Sequence, residues 1–317
     1  MKRLFLITSL ILIAGGLLFL INCENVATNP GQVTGTVTSP NGNVPIPGAT
    51  VSIASYLAYT ASTTTDSAGK YTLNNVPDGN YTLTATKGNW SGQITISVQG
   101  GSVSGDTQIR FDTDASNIAV VQGDYDSVEI VLNDLGVLYT FIYESDLADY
   151  SIVSGFKIIF LNCGCDTSYA SDPTVQANLQ NFVAGGGSLY ASDWAYLYAE
   201  DAWSSAIDFP ADPYIGDSQE ITADVVDSAL AAYLGSTTVP INFDLWSWVV
   251  MNGVGAGTTI HISGDFTTYD GPMTDKPILV SFSPSVGGGR VVYTSFHYEA
   301  QITDESKKVL EYFIFSL

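Results

Sequence analysis

Between residues 33 and 98, apolar and polar positions alternate in short runs, each broken by turn-forming residues. Val33–Val37, Ala49–Ile53, Tyr71–Leu73, Tyr81–Ala85 and Ile94–Val98 follow this pattern. Alternation puts every second side chain on one face of a strand. Pro40-Asn41-Gly42-Asn43, Asp66-Ser67-Ala68-Gly69 and Pro77-Asp78-Gly79 separate the runs. Gly42, Gly69 and Gly79 are suited to a positive φ, and Pro77 presets its own φ. Strands of about five residues at this spacing, without helical periodicity, predict a small antiparallel β-sandwich. Asp66 and Asp78 are read as side chains that close turns rather than as calcium ligands.

From residue 115 the texture changes. Asn117–Gln122 is a short apolar run, and Ser127–Leu135 has helical spacing with Val128, Val131, Leu132 and Leu135 on one face. Phe156–Leu161 is continuously apolar between Gly155 and Cys163-Gly164, as expected of a parallel strand buried on both faces. Asp172-Pro173 opens a helix whose buried face is Val175, Leu179, Phe182 and Val183, and Gly185-Gly186-Gly187 stops it. Ser188–Ala191 and Gly289–Thr294 read as strands, and Asp304–Phe315 as a closing amphipathic helix. Strand and helix in turn predict an α/β domain with a mostly parallel sheet and helices on both faces. Residues 200–285 give no comparable thread.

Charge narrows the function classes. Of 317 residues, 32 are Asp or Glu and 10 are Lys or Arg, a formal charge of −22. Such a surface repels phosphate backbones, which excludes nucleic acid as a partner and disfavours an electrostatic grip on anionic lipid. Two histidines and three cysteines are too few for a multi-metal centre of soft ligands. No metal ligand and no cofactor is assigned from sequence. At the start, Lys2 and Arg3 precede the uncharged apolar stretch Leu4–Ile21, which is near the lower limit for spanning a bilayer. It ends at Leu20-Ile21-Asn22-Cys23, and polar residues follow.

Three resemblances follow from these residues. Residues 1–23 resemble a bacterial lipoprotein signal with its lipobox, which implies lipidation at Cys23. Asn22 departs from the usual small residue there, and an uncleaved anchor helix is the alternative. Gly35, Pro47-Gly48-Ala49, Asp66, Gly69, Tyr71, Leu73, Val76-Pro77, Gly79, Tyr81 and Leu83 resemble the carboxypeptidase regulatory-like domain. That is a transthyretin-like sandwich, and the resemblance implies no chemistry. FKIIFLNCGC, LQNFVAGGGSLYASDW and GRVVYTSFHYEAQ resemble the class I glutamine amidotransferase-like fold, a flavodoxin-like architecture shared with ThuA-like proteins. The implied organisation is a signal or anchor over 1–23, a tether over 24–32, the sandwich over 33–111 and the α/β domain over 115–317.

The last resemblance carries a testable chemistry. An active member needs a nucleophile on a tight strand-to-helix elbow, a His to take its proton and an acid to orient the His. His297 and Glu299 match the last two. The elbow falls at Ala191-Ser192-Asp193-Trp194-Ala195, without the amidotransferase Cys, and bulky Tyr190 and Trp194 flank it. The expected function is therefore an extracytoplasmic, membrane-anchored binding or cell-envelope protein with a degenerate amidotransferase-like site. The membrane partner is reached through the N-terminal lipid or helix, and a carbohydrate or peptide is the expected ligand. One rival is an amide hydrolase using Ser192, His297 and Glu299; another is a purely structural surface protein. Cys163 and Cys165 are expected as small buried residues at a strand end. The aromatic residues Trp194, Tyr196, Tyr198, Trp203, Trp246 and Trp248 are expected mostly in the core, with any part at the sheet's carboxyl edge forming a ligand platform.

Overall fold

In the computed structural model, which describes residues 29–54, 59–113, 117–298 and 303–317, the alternating runs of the N-terminal third are strands. They are β1 (Gly31–Thr38), β2 (Thr50–Ala54), β3 (Thr60–Thr64), β4 (Lys70–Val76), β5 (Gly79–Lys87), β6 (Trp90–Gln99), β7 (Ser102–Ser104) and β8 (Gln108–Arg110). A three-stranded sheet in the order β4-β1-β8 faces a five-stranded sheet in the order β3-β2-β5-β6-β7. Only the β1–β8 pair among these is parallel. Period-two burial is carried through: Tyr71 and Leu73 on β4, and Tyr81, Leu83 and Ala85 on β5, turn inward.

Turn chemistry explains the register. Gly69 has φ +69°, and a Cβ there would lie 2.8 Å from the Val37 carbonyl oxygen, so no other residue fits. Gly42 is also left-handed, but Gly79 is not; it makes room for the ring of Tyr81 instead. The Asp66 carboxylate accepts from the amides of Ala68 and Lys70, closing its own turn. Asp78 accepts from the amide of Gly100, tying two hairpins together.

The second unit contains β9 (Ile118–Val121), α1 (Val128–Leu135), β10 (Thr140–Ile142), α2 (Tyr150–Val153), β11 (Ile158–Leu161), α3 (Pro173–Ala184), β12 (Ser188–Ser192), α4 (Tyr196–Ala202) and β13 (Ile207–Asp208). It continues with β14 (Gln219–Val225), α5 (Ser228–Leu234), β15 (Thr238–Phe243), β16 (Gly253–Val254), β17 (Thr258–Thr268), β18 (Gly271–Phe282), β19 (Val291–Thr294) and α6 (Asp304–Ile314). Among the described residues one nine-stranded sheet has the order β10-β9-β11-β12-β19-β18-β17-β14-β15. Its first five strands are mutually parallel and have the flavodoxin-like order. The other four extend it antiparallel through the stretch that sequence could not thread.

The parallel strands are buried on both faces, which is why they read as unbroken apolar runs. Ile118, Val120, Ile158, Phe160, Tyr190 and Val292 pack into one core with α1, α6 and the sandwich. Their neighbours Ala119, Val121, Ile159, Leu161, Leu189, Ala191, Val291 and Tyr293 pack into the other with α3 and α4. α3 begins as its sequence dictates: Asp172 accepts from the Thr174 amide and Pro173 occupies the first turn.

The end of α6 joins the two units. Trp90 Nε1 donates to the Ile314 carbonyl at 2.8 Å, its ring meets Phe315 at 5.0 Å, and the Asn89 amide donates to the Leu317 carbonyl at 2.8 Å. Among the described residues no helix is long and apolar enough to cross a membrane. Cys23 and the rest of the expected anchor lie outside the described residues.

Candidate functional site at the carboxyl edge of the parallel strands

In a flavodoxin-like sheet the strand ends on either side of the order reversal form a crevice where ligands bind. Here the segments after β9, β11 and β19 deliver Asp126, Cys163 and His297 to that edge, and the end of β12 delivers Ser192 with Asp193. All five are buried, each at 2% exposure or less.

Asp126 is the organiser. Its carboxylate accepts from Ser192 Oγ at 2.6 Å, from the Tyr298 amide at 2.9 Å and from the Ser127 amide at 2.8 Å. It thereby ties the ends of β9, β12 and β19 together. Burial pushes its carboxyl up to about 6, opposed by these hydrogen bonds. Ser192 Oγ also accepts from the Cys163 amide at 3.0 Å. The serine hydroxyl thus serves Asp126 and the backbone of the neighbouring strand end.

The next residue carries the elbow. Asp193 has φ +43°, a left-handed conformation that is costly for a non-glycine residue. Its carboxylate accepts from the Val249 amide through Oδ1 at 2.7 Å, and its carbonyl accepts from the Tyr293 hydroxyl at 3.0 Å. The other carboxylate oxygen, Oδ2, lies 3.5 Å from Cys163 Sγ. Burial pushes the Asp193 carboxyl up to about 8. Burial first, then the Asp193 and Asp126 carboxylates, holds the Cys163 thiol far above the usual thiol range. His297 completes the group: one donor atom each from Cys163, Asp193 and His297 lies within 4.8 Å of the others. Burial lowers the imidazole to about 4, with Asp244 opposing the shift.

Over this cluster lies a cavity of about 240 Å³ lined by Tyr125, Cys163, Asp193, Trp194, Leu245 and Trp246. That is below the usual range for drug-sized ligands, so it suits something the size of one sugar or one amino-acid residue. Trp246 is 73% exposed and Trp194 is 36% exposed, so two indoles flank the mouth. Trp194 is held by Nε1 donating to the Ser247 carbonyl and by an edge contact to Tyr125 at 5.9 Å. A roomier hollow of about 370 Å³ beside Trp203 and Phe282 has no ionisable lining residue.

Of the residues singled out in the sequence, His297 is brought to the cluster, and Ser192 lies beside it bonded to Asp126. Glu299 lies outside the described residues. Tyr196, Tyr198 and Trp248 are core, whereas Trp194 and Trp246 line the pocket. Cys163 and Cys165 are both free thiols. Sequence reasoning passed over Asp126, Asp193 as elbow residue, and Asp244. Signals existed for the first two: an acid two residues after Gly-Asp at a strand end, and an acid next to the nominated serine.

The other histidine is also part of a constellation that sequence reasoning missed. His261 Nδ1 pairs with Asp227 Oδ2 at 2.6 Å and its Nε2 pairs with Ser281 Oγ at 2.7 Å. These are the contacts of a Ser-His-Asp triad. However, Ser281 sits within β18, paired to both β17 and β19, and is 5% exposed. A nucleophile needs an exposed elbow with oxyanion donors. Asp227 caps α5, and Phe313 of α6 covers the imidazole edge-on at 4.8 Å. This network is a structural pin.

Comparison with known proteins adds to the geometry. Residues 32–132 match the carboxypeptidase regulatory-like domain, and the match extends past β8 into α1. No curated protein sequence matches the chain. Among solved structures, the chain is similar to a GMP synthase-type protein from Thermoplasma acidophilum at 13% identity and TM-score 0.44, covering 62% of this chain and 92% of that one. It is similar to a ThuA-like protein from Bacteroides uniformis at 8% identity and TM-score 0.45, covering 63% and 90%. It is also similar to a β-galactosidase from Rahnella at 13% identity and TM-score 0.37, covering 63% of this chain and 30% of the enzyme.

Proposed function

We propose that this chain is a membrane-tethered extracytoplasmic binding protein: the sandwich carries an amidotransferase-like α/β domain whose carboxyl-edge pocket receives a small carbohydrate or peptide group. The observation that carries the reading is the commitment of Ser192. Its hydroxyl donates to Asp126 at 2.6 Å and accepts from the Cys163 amide, while the strained elbow position belongs to Asp193. Hydrolysis through an activated serine requires an exposed hydroxyl as well as a base; here Asp126 holds the proton, but Ser192 is fully buried and does not line the pocket. The indole-flanked mouth supports ligand capture instead. The tether rests on Lys2, Arg3, the apolar stretch to Ile21 and Cys23.

The test has three arms. A fluorophosphonate probe should leave the protein unmodified by intact mass; a Ser192 adduct that His297→Ala abolishes would establish the hydrolase instead. Dipeptides or monosaccharides should quench tryptophan emission in the wild type and not in Trp246→Ala; no quenching by either class overturns the binding reading. A tagged fatty acid should label the wild type and not Cys23→Ala, and equal labelling of both removes the lipid tether.

A further inference from the structure

We propose that Cys163, Asp193 and His297 form a mononuclear site for a divalent transition-metal ion of the zinc class, with an open coordination position facing the aromatic pocket. This deepens the binding reading, on which it rests for the use of that pocket, by naming what lies at its floor.

The three donors come from the ends of adjacent strands, β11, β12 and β19, so the sheet itself fixes their spacing. Each supplies one ligand atom, and all three atoms lie within 4.8 Å of one another. In a tetrahedral site with metal–sulfur near 2.3 Å and metal–nitrogen or –oxygen near 2.0–2.2 Å, ligand atoms stand about 3.5 Å apart. The Cys163–Asp193 edge is already 3.5 Å. The other edges are at most 4.8 Å, so they need to close by no more than about 1.3 Å, within reach of side-chain rotation.

Three features favour an ion over a packed polar core. First, a thiolate and a carboxylate bring two negative charges to a buried place, and a neutral imidazole adds none. A divalent cation balances them, whereas without it burial penalises either charge. Second, the carboxylate is aimed. The Val249 amide holds Oδ1, the Tyr293 hydroxyl holds the Asp193 backbone, and the strained φ turns Oδ2 towards Cys163. Backbone strain at such a position persists only where the surroundings enforce it. Third, outer partners are in place. Ser192 Oγ accepts from the Cys163 amide, and the Asp244 carboxylate, whose Oδ1 is buried without a hydrogen-bond partner among the described residues, opposes the lowering of the His297 imidazole. Carboxylates commonly orient metal-bound histidines.

The donor set selects the ion. Sulfur, nitrogen and a single oxygen suit a borderline cation and are wrong for calcium or magnesium, which take oxygen ligands. Cys163 and Asp193 line the cavity with Tyr125, Trp194 and Trp246, and three protein ligands beside a cavity is the pattern of a site that keeps a position for water or a ligand. The strongly acidic surface raises the local concentration of cations around it.

The test uses the full chain, stripped with chelator and titrated with cobalt(II) as a spectroscopic stand-in for zinc. One cobalt per chain should bind, with a sulfur-to-cobalt charge-transfer band and the intense visible bands of four-coordination. Zinc should displace it. Cys163→Ser should remove the charge-transfer band, and His297→Gln should weaken binding at least about 100-fold. Cys165→Ser and His261→Gln should leave the spectrum as in the wild type. A stripped, folded wild type that takes up less than one cobalt, or a charge-transfer band that survives Cys163→Ser, overturns the proposal. Because both readouts include the wild type, a misfolded variant does not rescue it. The tryptophan-quenching titration on stripped protein separates the two readings: an organic ligand bound without any metal uptake leaves the binding reading standing and removes the metal.

Discussion

The two histidines, His261 within β17 and His297 three residues past the end of β19, are both buried, in surroundings that are physically opposite. His261 lies at a bulge of β17 between Ile260 and Ile262, where an extra residue re-aims a side chain. Both of its ring nitrogens are satisfied at 2.6 and 2.7 Å, Asp227 is spoken for by α5, and Phe313 closes the top. His297 stands past a strand end, in a group whose donor atoms lie within 4.8 Å of one another and two of whose members, Cys163 and Asp193, line a cavity. The first arrangement has the contacts of a catalytic triad and no cavity beside it; the second adjoins a cavity through Cys163 and Asp193. A triad-like hydrogen-bond pattern therefore says less about function than the presence of room for a ligand. A fully satisfied buried network fixes structure, whereas a cluster that leaves space keeps its chemistry for something else.

Stability should divide the two most sharply. His261→Ala leaves Asp227 and Ser281 facing a hole, and should cost about 3 kcal/mol in denaturant unfolding. His297→Ala in stripped protein should cost about 1 kcal/mol, because functional clusters are not arranged for stability. Equal losses would show that the second cluster is also a structural pin.

Acid should sharpen the same contrast. Burial depresses the folded pKa of both imidazoles, for His297 to about 4, below the unfolded value of about 6.5. Each depressed group contributes stability that is fully present above the unfolded pKa and is lost as pH falls towards the folded one. The carboxyls of Asp126 and Asp193 are raised, so they act in the opposite sense. The histidine contribution is accordingly read as a difference. His297→Gln should gain on stripped wild type between pH 6.5 and 4 by up to about 3 kcal/mol. No relative gain over that interval would mean that His297 is already accessible to solvent protons in the folded state.

Metal loading comes next. Zinc at about a hundred times its dissociation constant should stabilise wild type and His261→Gln by about 2.7 kcal/mol each, and His297→Gln hardly at all. Stabilisation of all three alike would place the ion elsewhere.

How much of this was legible in the sequence follows from where the signals are local. The sandwich announces itself because its strands and turns are consecutive and its turn residues have mechanisms, as Gly69 and Asp66 show. The parallel strands are legible as apolar runs buried on both faces. The stretch 200–285 is not, because β14 and β15 have exposed polar faces and β17 is interrupted by irregular pairing that breaks the period of two. At the site, Cys163 and His297 could be found as rare residue types at strand ends. Asp244 could not, since its role arises only when segments distant in the chain meet. The elbow was located to within one residue. A side-chain period of two then sends Ser192 and Asp193 in different directions, and it is φ at Asp193 that decides which faces the pocket.

That one-residue difference can be measured directly, though the effect is small. Ser192 and Ser281 are both buried hydroxyls, the first bonded to an acid and the second to a histidine, and each replaced by Ala should cost about 1 kcal/mol. Their couplings should differ. Ser281 Oγ is bonded to His261 Nε2 at 2.7 Å, so the double-mutant cycle of Ser281→Ala with His261→Gln should show an interaction of about 1 kcal/mol. Ser192 Oγ is bonded to Asp126 and to the Cys163 amide. Its cycle with His297→Gln should therefore close to within about 0.5 kcal/mol, while its cycle with Asp126→Asn should not. A strong Ser192–His297 coupling would mean that the hydroxyl turns to the imidazole in solution. The hydrolase would then regain its nucleophile and base, and the contrast between a closed cluster and an open one would no longer rest on which serine each histidine holds.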